Sequence, residues 1–347
     1  MTHVLAVSDI HFHAYKAHSS LVDGVNSRLL HQVDAWKQAV GAGAAEGCRL
    51  MLVAGDVFEV RGSIRPSVYN RVSGLIADAL AAGFDIGMIS GNHDMEHLEA
   101  GESALDSWDY LKHRNGSGTR RCRVFKQPGV HRMAGYRVLG IPFMPDTEAF
   151  KKTFRKLSAA AGPDITVVHQ GVDSFNAGNE PPSTGLTAEW LEDNNPGMIL
   201  CGHYHRPGLS KGGRVVNVGA LVQHRFGDEG DDRGCWILAG REAKFVRIES
   251  PRFVTFRDGR ESADYRGAFV RISAKSEEEA RCFRKKAEAA GALSVTVEIE
   301  KEFQTAHEKT VRMSSPREML LEYLEIVNRY GDRKQEIVDL FDRLCGR

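Results

Sequence analysis

The feature that most constrains this chain is a short apolar segment followed at once by clustered polar side chains. Residues 84–89 form such a segment, and Ser90-Gly91-Asn92-His93-Asp94 follows it. The apolar residues predict a buried strand, and Gly91 allows the backbone to turn sharply. An amide oxygen, an imidazole and a carboxylate then lie together at the strand end. Taken alone, Gly-Asn-His-Asp is also compatible with an ordinary polar turn.

Four further segments repeat this arrangement, since each predicts a buried strand and ends in potential metal ligands. They are residues 3–8 before Asp9 and His11, residues 50–54 before Asp56, residues 165–168 before His169, and residues 198–201 before His203 and His205. In Asp-x-His and His-x-His, both side chains lie on one side of an extended chain, about 7 Å apart. Each pattern alone is a weak signal, but five strand ends together predict one shared site.

The segments between these strands have helical periodicity, which predicts an α/β fold. Helices are expected at residues 26–46, at 66–82 with Pro66 as the first residue, and at 147–161. Strands separated by helices form a mostly parallel sheet, and such sheets bind ligands at the carboxyl ends of their strands. Residues 214–248 alternate as three short strands, which favours an antiparallel edge.

The chemistry of this set indicates metal ions held by oxygen and nitrogen. No cysteine has the spacing of a structural zinc site, and the six cysteines are far apart, as in a reducing cytoplasm. Two carboxylates, one amide and four imidazoles exceed the ligands that one ion requires. They suit two ions about 3.5–4 Å apart that share a carboxylate, an arrangement that activates water and clamps a phosphate. One histidine is then free for acid catalysis.

The ordered blocks Asp9-x-His11, Gly55-Asp56, Gly91-Asn92-His93-Asp94, His169 and Gly202-His203-x-His205 resemble the signature of the calcineurin-type metallophosphoesterases. The details are more similar to the SbcD nucleases, the bacterial counterparts of the eukaryotic meiotic-recombination nuclease. Residues 55–61 and 214–236 especially resemble the SbcD-like recombination endonuclease subunits of tailed phages. This resemblance implies a four-layer α/β/β/α sandwich.

The resemblance also implies a role for each matched residue. Asp9, His11 and His205 would bind one ion, Asn92, His169 and His203 the other, and Asp56 would bridge the two. His93 would protonate the leaving oxygen or stabilise the transition state, and Asp94 would orient His93. Manganese is the ion that the family implies, while the ligand set also allows Mg²⁺, Fe²⁺ or Zn²⁺. Glu59 occupies a position that is His in some relatives, which leaves substrate handling open.

Several basic residues are candidates for contacts with the DNA backbone. Lys plus Arg equals Asp plus Glu, so a nucleic-acid surface would have to be local. The candidates are Arg61 and Arg65 near the second motif, and Arg114, Arg120 and Arg121 in a basic stretch at 112–126 that we expect to be a loop. A solvated surface loop is an equally good interpretation of that stretch.

The predicted domains are a nuclease domain at 1–249, a cap at 250–302, a linker at 303–313 and a helix-loop-helix at 314–347. The cap has a β-α-β pattern, and the resemblance implies that it positions DNA, although it could also be a stabilising appendage. The last segment predicts two amphipathic helices that cannot bury their apolar faces alone. They could fold back on the main domain, but the resemblance favours binding to an SbcC-type ABC ATPase.

The function predicted from the sequence is a two-metal DNA nuclease, exonuclease and/or endonuclease, in an SbcCD-like complex for DNA end processing, repair or recombination. The alternatives are a small-molecule phosphodiesterase or phosphoprotein phosphatase of the same superfamily, and a non-catalytic adaptor for an ATPase. No signal peptide or apolar membrane span is evident, so we expect a cytoplasmic protein of a bacterial or phage-infected cell. The resemblance implies a homodimer.

Overall fold

The computed structural model describes residues 3–59, 61–98, 102–115, 118–175, 184–256, 265–299, 316–327 and 333–344. The chain divides into two compact units, Met1–Glu300 and Lys301–Arg347. The predicted linker at 303–313 lies outside the described residues. The predicted boundary between residues 249 and 250 falls inside the first unit and stays a prediction.

The strands and helices alternate along most of the chain. The strands are β1 (Val4–Val7), β2 (Leu21–Val22), β3 (Val25–Asn26), β4 (Leu50–Val53), β5 (Asp85–Met88), β6 (Lys112–Asn115), β7 (Gly118–Val124), β8 (Gly129–Met133), β9 (Tyr136–Ile141), β10 (Ile165–His169), β11 (Met198–Gly202), β12 (Gly208–Leu209), β13 (Val215–Asn217), β14 (Gly234–Ala239), β15 (Glu242–Arg247), β16 (Phe253–Thr255), β17 (Phe269–Ala274) and β18 (Ser294–Ile299). The helices are α1 (Ser27–Ala45), α2 (Pro66–Ala81), α3 (Thr147–Ala161), α4 (Ala188–Asp193), α5 (Glu277–Ala289), α6 (Pro316–Val327) and α7 (Lys334–Leu344).

Two large sheets carry the main part of the first unit. The first has the strand order β15-β14-β1-β4-β5-β7-β6, and the second has the order β12-β13-β11-β10-β9-β8. Strands β1, β4 and β5 are parallel neighbours, and so are β9, β10 and β11. The carboxyl ends of the strands that precede the predicted ligands therefore lie at one edge of each sheet.

Side chains that alternate along the strands bury the two faces of each sheet in different cores. Val4 and Ala6 of β1 pack with Leu200 of β11 between the sheets. The intervening residues Leu5 and Val7 pack with the residues of α1 and α2 on the outer face of the first sheet. The outer face of the second sheet packs on α3 and α4. This arrangement confirms the predicted four-layer α/β/β/α architecture.

The predicted helices of the main fold match α1, α2 and α3, and their ends have recognisable sequence signals. The Asn26 side chain accepts a hydrogen bond from Leu29 N at the start of α1. Pro66 occupies the first turn of α2, where its missing N–H costs no hydrogen bond. Asp146 accepts from Glu148 N and Ala149 N at the start of α3.

Two sequence predictions are wrong: one missed a pair of strands, and the other placed a strand in the wrong sheet. The basic stretch at 112–126 is not a loop, because β6 and β7 form an antiparallel hairpin and β7 joins β5. Cys122 and Val124 are buried while Arg121 and Arg123 are exposed, an alternation that a count of charges does not detect. Of the three strands at 214–248, β14 and β15 form the antiparallel edge, but β13 is parallel to β11 in the other sheet.

The smaller elements match the β-α-β and helix-loop-helix predictions. A parallel three-stranded sheet, β16-β17-β18, packs on α5, and β16 is the strand that the prediction lacked. In the second unit, the ion pair between Arg317 Nε and Asp342 Oδ1, at 2.9 Å, joins α6 to α7. No helix in the described part of the chain is long and apolar enough to cross a membrane.

Candidate metal centre

The predicted ligands converge because hydrogen bonds hold together the loops that follow neighbouring strands. Asp9 N donates to Gly55 O at 3.0 Å, and His11 N donates to Asp56 O at 3.1 Å, beyond the ends of β1 and β4. The second sheet joins at the same place, where the His169 Nδ1 of β10 lies 2.7 Å from the carbonyl oxygen of Ala54. The loops of both sheets therefore form a single site.

Four of the predicted ligands have backbones in the left-handed region, which non-glycine residues seldom adopt. The φ values are 49° at Asp9, 51° at His11, 50° at Asp56 and 99° at His203. Each such conformation costs roughly 1–3 kcal/mol and persists only where the surrounding structure enforces it. The occurrence of this conformation at four of the seven predicted ligands is typical of a functional site.

The first ligand group contains Asp9, His11 and His205. One possible ligand atom from each lies within 4.8 Å of the others. Asp9 and His11 are buried. The main-chain N–H of His203 donates to both carboxylate oxygens of Asp9, at 3.1 Å each, and so fixes the plane of that carboxylate.

The second ligand group contains Asp56, His169 and His203, with ligand atoms again within 4.8 Å of one another. Asn92 belongs to it as well, because its Oδ1 lies 3.2 Å from His169 Nε2 and 3.1 Å from His203 Nδ1. Asp56 lies between the groups: its Oδ2 is 3.3 Å from His169 Nε2 and 3.7 Å from His11 Nε2. The structure thus brings together all seven predicted ligands.

This donor set fits two divalent cations. Bonds of about 2.0–2.3 Å from one ion to imidazole nitrogen and carboxylate oxygen leave the ligand atoms at most about 4.6 Å apart, close to the spread of each group. The mixture of carboxylate, amide and imidazole, with no thiol, suits Mn²⁺, Fe²⁺ or Zn²⁺. The Nε2 of His11 is buried without a hydrogen bond, as expected of an imidazole nitrogen shaped for another partner.

The electrostatics of the site also favour positive charge between the carboxylates and imidazoles. Burial alone would lower the pKa of His169, but the facing Asp56 carboxylate raises it to about 9. Burial alone would raise the pKa of Asp56, but His169 and His11 hold it well below its usual range. Burial together with the neighbouring His169 lowers the pKa of His203 to about 4, so this imidazole is a neutral donor at pH 7.

The two predicted catalytic residues have different surroundings. His93 N donates to Asp56 Oδ1 at 2.8 Å, and His93 Nδ1 lies 2.6 Å from the carbonyl oxygen of Glu59. Asp94 is buried, and its carboxylate accepts from Phe58 N at 2.9 Å and Gly91 N at 3.0 Å. Burial and the nearby Asp56 raise the pKa of Asp94 to about 7. Asp94 therefore holds the turn that carries His93, whereas the predicted direct orientation of the His93 ring falls to the Glu59 carbonyl.

Comparison with known proteins agrees with this geometry. Residues 2–207, more than half of the chain, match the family model of the calcineurin-like phosphoesterases. The chain belongs to the calcineurin-like phosphoesterase family. This confirms the family that the ordered sequence blocks predicted.

Among curated proteins, this calcineurin-like phosphoesterase is similar to Exonuclease subunit 1 of Enterobacteria phage T4. The two are 24% identical over 237 residues, which is 68% of this chain and 64% of the phage protein. The match therefore spans less than two thirds of the phage protein's own length.

Solved structures with similarity to this calcineurin-like phosphoesterase include a dimetal phosphatase from Danio rerio. It is 10% identical, with a TM-score of 0.39, over 72% of this chain and 99% of the other. The E. coli phosphoesterase Yfce is 13% identical, with a TM-score of 0.32, over 72% and 100%. Pseudomonas putida nuclease MPE is 13% identical, with a TM-score of 0.31, over 70% and 87%. These TM-scores are too low to bear on function.

The five arginines predicted to contact DNA do not lie together in this calcineurin-like phosphoesterase. Arg61 Nε donates to Asn92 O at 2.7 Å, which places Arg61 beside the metal centre, and Arg65 is exposed at the start of α2. The other three, Arg114, Arg120 and Arg121, belong to the β6–β7 hairpin. Arg120 pairs at 3.2 Å with Asp85, at the amino end of β5. The metal centre lies at the opposite end of that strand.

Two residues of the site were not predicted from the sequence. Glu59 Oε2 lies 2.8 Å from His11 Nδ1. The His224 Nε2 lies 3.1 Å from Asp9 O, and its ring centroid is 5.0 Å from that of His11. The available sequence signal for Glu59 was its position three residues after Asp56, close to the Gly55-Asp56 motif. His224 lies in a long loop between β13 and β14, away from any strand end, so the sequence carries no pattern for it.

Proposed function

We propose that this calcineurin-like phosphoesterase is a two-metal nuclease that hydrolyses phosphodiester bonds in DNA. One observation carries the proposal: Asp56 lies between the two ligand groups, and the His93 main-chain N–H donates a hydrogen bond to the same carboxylate. Two ions that share a carboxylate can clamp a phosphate while a neighbouring imidazole acts on the departing oxygen.

Each residue has a defined part in the proposed site. Two Mn²⁺ ions would be held by the two ligand groups, and when bound they supply activation of water and neutralisation of the phosphate charge. Because a carbonyl oxygen only accepts hydrogen bonds, the Glu59 carbonyl fixes a proton on His93 Nδ1. Nε2 is then the atom that gives a proton to the departing oxygen. Asp94 holds the turn, and Arg61 lies where it can bind a neighbouring phosphate.

Similarity to an exonuclease subunit from a phage supports DNA as the substrate and a complex as the working form. In the proposed complex, α6 and α7 bind an SbcC-type ATPase and the nuclease forms a homodimer. It acts in the cytoplasm of a bacterial or phage-infected cell, in the processing of DNA ends for repair or recombination. The sheet of β16, β17 and β18 would position DNA as a cap.

The experiment measures degradation of linear double-stranded DNA with Mn²⁺ by wild type, His93→Ala and Asp56→Ala, with and without an SbcC-type ATPase. We expect wild type to cut the DNA. His93→Ala should lose about 10²–10⁴-fold in rate and still bind Mn²⁺, because it removes a proton donor and no ligand. Asp56→Ala should lose both activity and metal binding. Glu46→Ala, which removes only a surface pair with Lys244, is the control and should cut like wild type.

Two results would contradict the proposal. If wild type hydrolyses bis-p-nitrophenyl phosphate but leaves DNA intact even with the ATPase, the protein is a small-molecule phosphodiesterase. If neither substrate is cleaved although Mn²⁺ binds, the protein is a non-catalytic adaptor.

A further inference from the structure

Glu59 contacts both a predicted metal ligand and the predicted acid. It lies in the loop after β4, three residues beyond Asp56, and its side chain is 33% exposed. Its carboxylate faces the His11 ring, while its main-chain oxygen faces the His93 ring. A single residue therefore lies against two imidazoles whose other nitrogens face the metal centre or the substrate.

The side-chain contact defines how the His11 ring is presented. Glu59 Oε2 is 2.8 Å from His11 Nδ1, within the range of a charge-assisted hydrogen bond. On the other side of the ring, Nε2 lies 3.7 Å from Asp56 Oδ2, the carboxylate between the two ligand groups. A proton on Nδ1, bound to Glu59, leaves the Nε2 lone pair free and directed at the metal centre.

A second imidazole of the centre is held in the same manner. His169 Nδ1 lies 2.7 Å from the Ala54 carbonyl oxygen, and its Nε2 lies 3.2 Å from Asn92 Oδ1. The Ala54 carbonyl oxygen thus orients the His169 ring in the same way as the Glu59 carboxylate orients the His11 ring. Metal-binding histidines commonly donate their other N–H to a carboxylate or carbonyl, which fixes the tautomer and the ring orientation.

Glu59 is itself held in place. The Tyr15 hydroxyl interacts with the Glu59 carboxylate, and it also donates to His11 O at 3.3 Å. Tyr15 belongs to the loop that follows the Asp9-x-His11 motif, so the carboxylate and the imidazole are fixed to the same segment. Ligand atoms of His11, Glu59 and His93 do lie within 4.8 Å of one another. However, Nδ1 of His11 faces the Glu59 carboxylate and Nδ1 of His93 faces the Glu59 carbonyl oxygen, so hydrogen bonds account for this grouping without a third ion.

We propose that Glu59 is a positioning residue that fixes His11 with Nε2 directed at the metal centre. The inference deepens the proposed function, since it takes His11 to be a metal ligand. It predicts an effect on metal affinity that does not depend on DNA cleavage.

The experiment measures Mn²⁺ binding without DNA, by isothermal titration calorimetry and by the electron paramagnetic resonance signal of free Mn²⁺. Wild type, Glu59→Ala and Glu59→Gln are compared, with Glu46→Ala as a control that removes only a surface pair with Lys244. We expect Glu59→Ala to bind one of its two ions about 10–100-fold more weakly. Glu59→Gln keeps an oxygen acceptor of the same shape and should recover part of that loss. The control should bind like wild type.

Equal Mn²⁺ affinity in wild type and both variants would overturn the positioning role. A third ion in wild type that both variants lose entirely would also overturn it, because Glu59 would then be a ligand. Thermal unfolding of the metal-free proteins separates a folding defect from weaker binding, and the isosteric Gln variant keeps the test decisive if the Ala variant does not fold. Wild type that binds two ions but cuts no DNA even with the ATPase would refute the proposed function and leave the role of Glu59 intact.

Discussion

At the scale of single residues, the metal centre needs glycine where two loops approach closely. Gly91 begins the turn that carries Asn92 and His93, and it lies directly against Asp56. A Cβ atom at Gly91 would overlap the Asp56 carboxylate and lie 2.5 Å from Asp56 N. The Asp56 main chain cannot move away, because its oxygen accepts from His11 N. The absence of a side chain at position 91 is therefore part of the site.

Gly91→Ala should displace Asp56 and weaken Mn²⁺ binding at least 10-fold, with a loss of about 1–3 kcal/mol in the free energy of unfolding from overpacking. Gly41→Ala is the matched control, because Gly41 is exposed in α1 and a Cβ there meets nothing within 4 Å. The control should stabilise the protein by about 0.5–1 kcal/mol, since alanine favours helix over glycine. Urea unfolding and Mn²⁺ titration measure both. Similar effects at the two positions would refute the steric argument.

The ligands could be predicted from the sequence because a strand-end pattern is local. Asp9 and His11 follow an apolar run directly, and so does His169, so neighbouring residues suffice to find them. Glu59 and His224 could not be assigned the same way. Their contacts with His11 and Asp9 join segments 48 and 215 positions apart, and the folded sheets alone bring those segments together.

At the scale of elements, Arg28 of α1 joins the sheet of β16, β17 and β18 to the metal centre. Arg28 is only 6% exposed, and its Nη2 donates to His224 O at 2.9 Å. Its guanidinium carbon lies 4.1 Å from the Tyr15 ring centroid and 5.1 Å from that of Phe253 in β16. His224 in turn contacts Asp9. One helix residue thus links the sheet of β16, β17 and β18 to a loop of the candidate metal centre.

Arg28→Ala should lower the free energy of unfolding by about 2–4 kcal/mol, because it removes a charged hydrogen bond and packing against aromatic rings. Lys37→Ala, an exposed position of the same helix, should change it by less than about 0.5 kcal/mol. Arg28→Lys should lie between, since lysine keeps the charge but cannot stack as a planar group. Chemical denaturation measures all three. If Arg28→Ala behaved like Lys37→Ala, the link would not contribute to stability.

At the scale of the whole molecule, the chain combines a hydrolytic centre with a separate pair of helices. The α/β class was predictable from alternating strands and helices, whereas the four-layer sandwich was predicted only from the family resemblance. The pairing of β13 with β11 was not, because a strand of three residues can join either sheet. In the second unit, Leu324 and Val338 are buried, whereas Met319 and Tyr323 of α6 are 54% and 56% exposed. Residues 319 and 323 lie one helical turn apart, so they form one apolar face.

We expect this face to bind the ATPase proposed above. The double variant Met319→Asp/Tyr323→Asp should bind an SbcC-type ATPase at least 10-fold more weakly, because two carboxylates would be buried in an apolar contact. Its Mn²⁺-dependent hydrolysis of bis-p-nitrophenyl phosphate should be unchanged, since the metal centre belongs to the first unit. Glu46→Ala, which removes only a surface pair with Lys244 in the first unit, is the control and should bind normally.

Binding is measured by calorimetry, and the mass of each variant in solution by light scattering. Unchanged ATPase affinity in the double variant would refute the assignment of this face. A loss of homodimer mass with ATPase affinity retained would assign the face to self-association instead. An ATPase bound through these helices would add a second protein to the nuclease proposed above, whereas a self-association face would only double the number of metal centres.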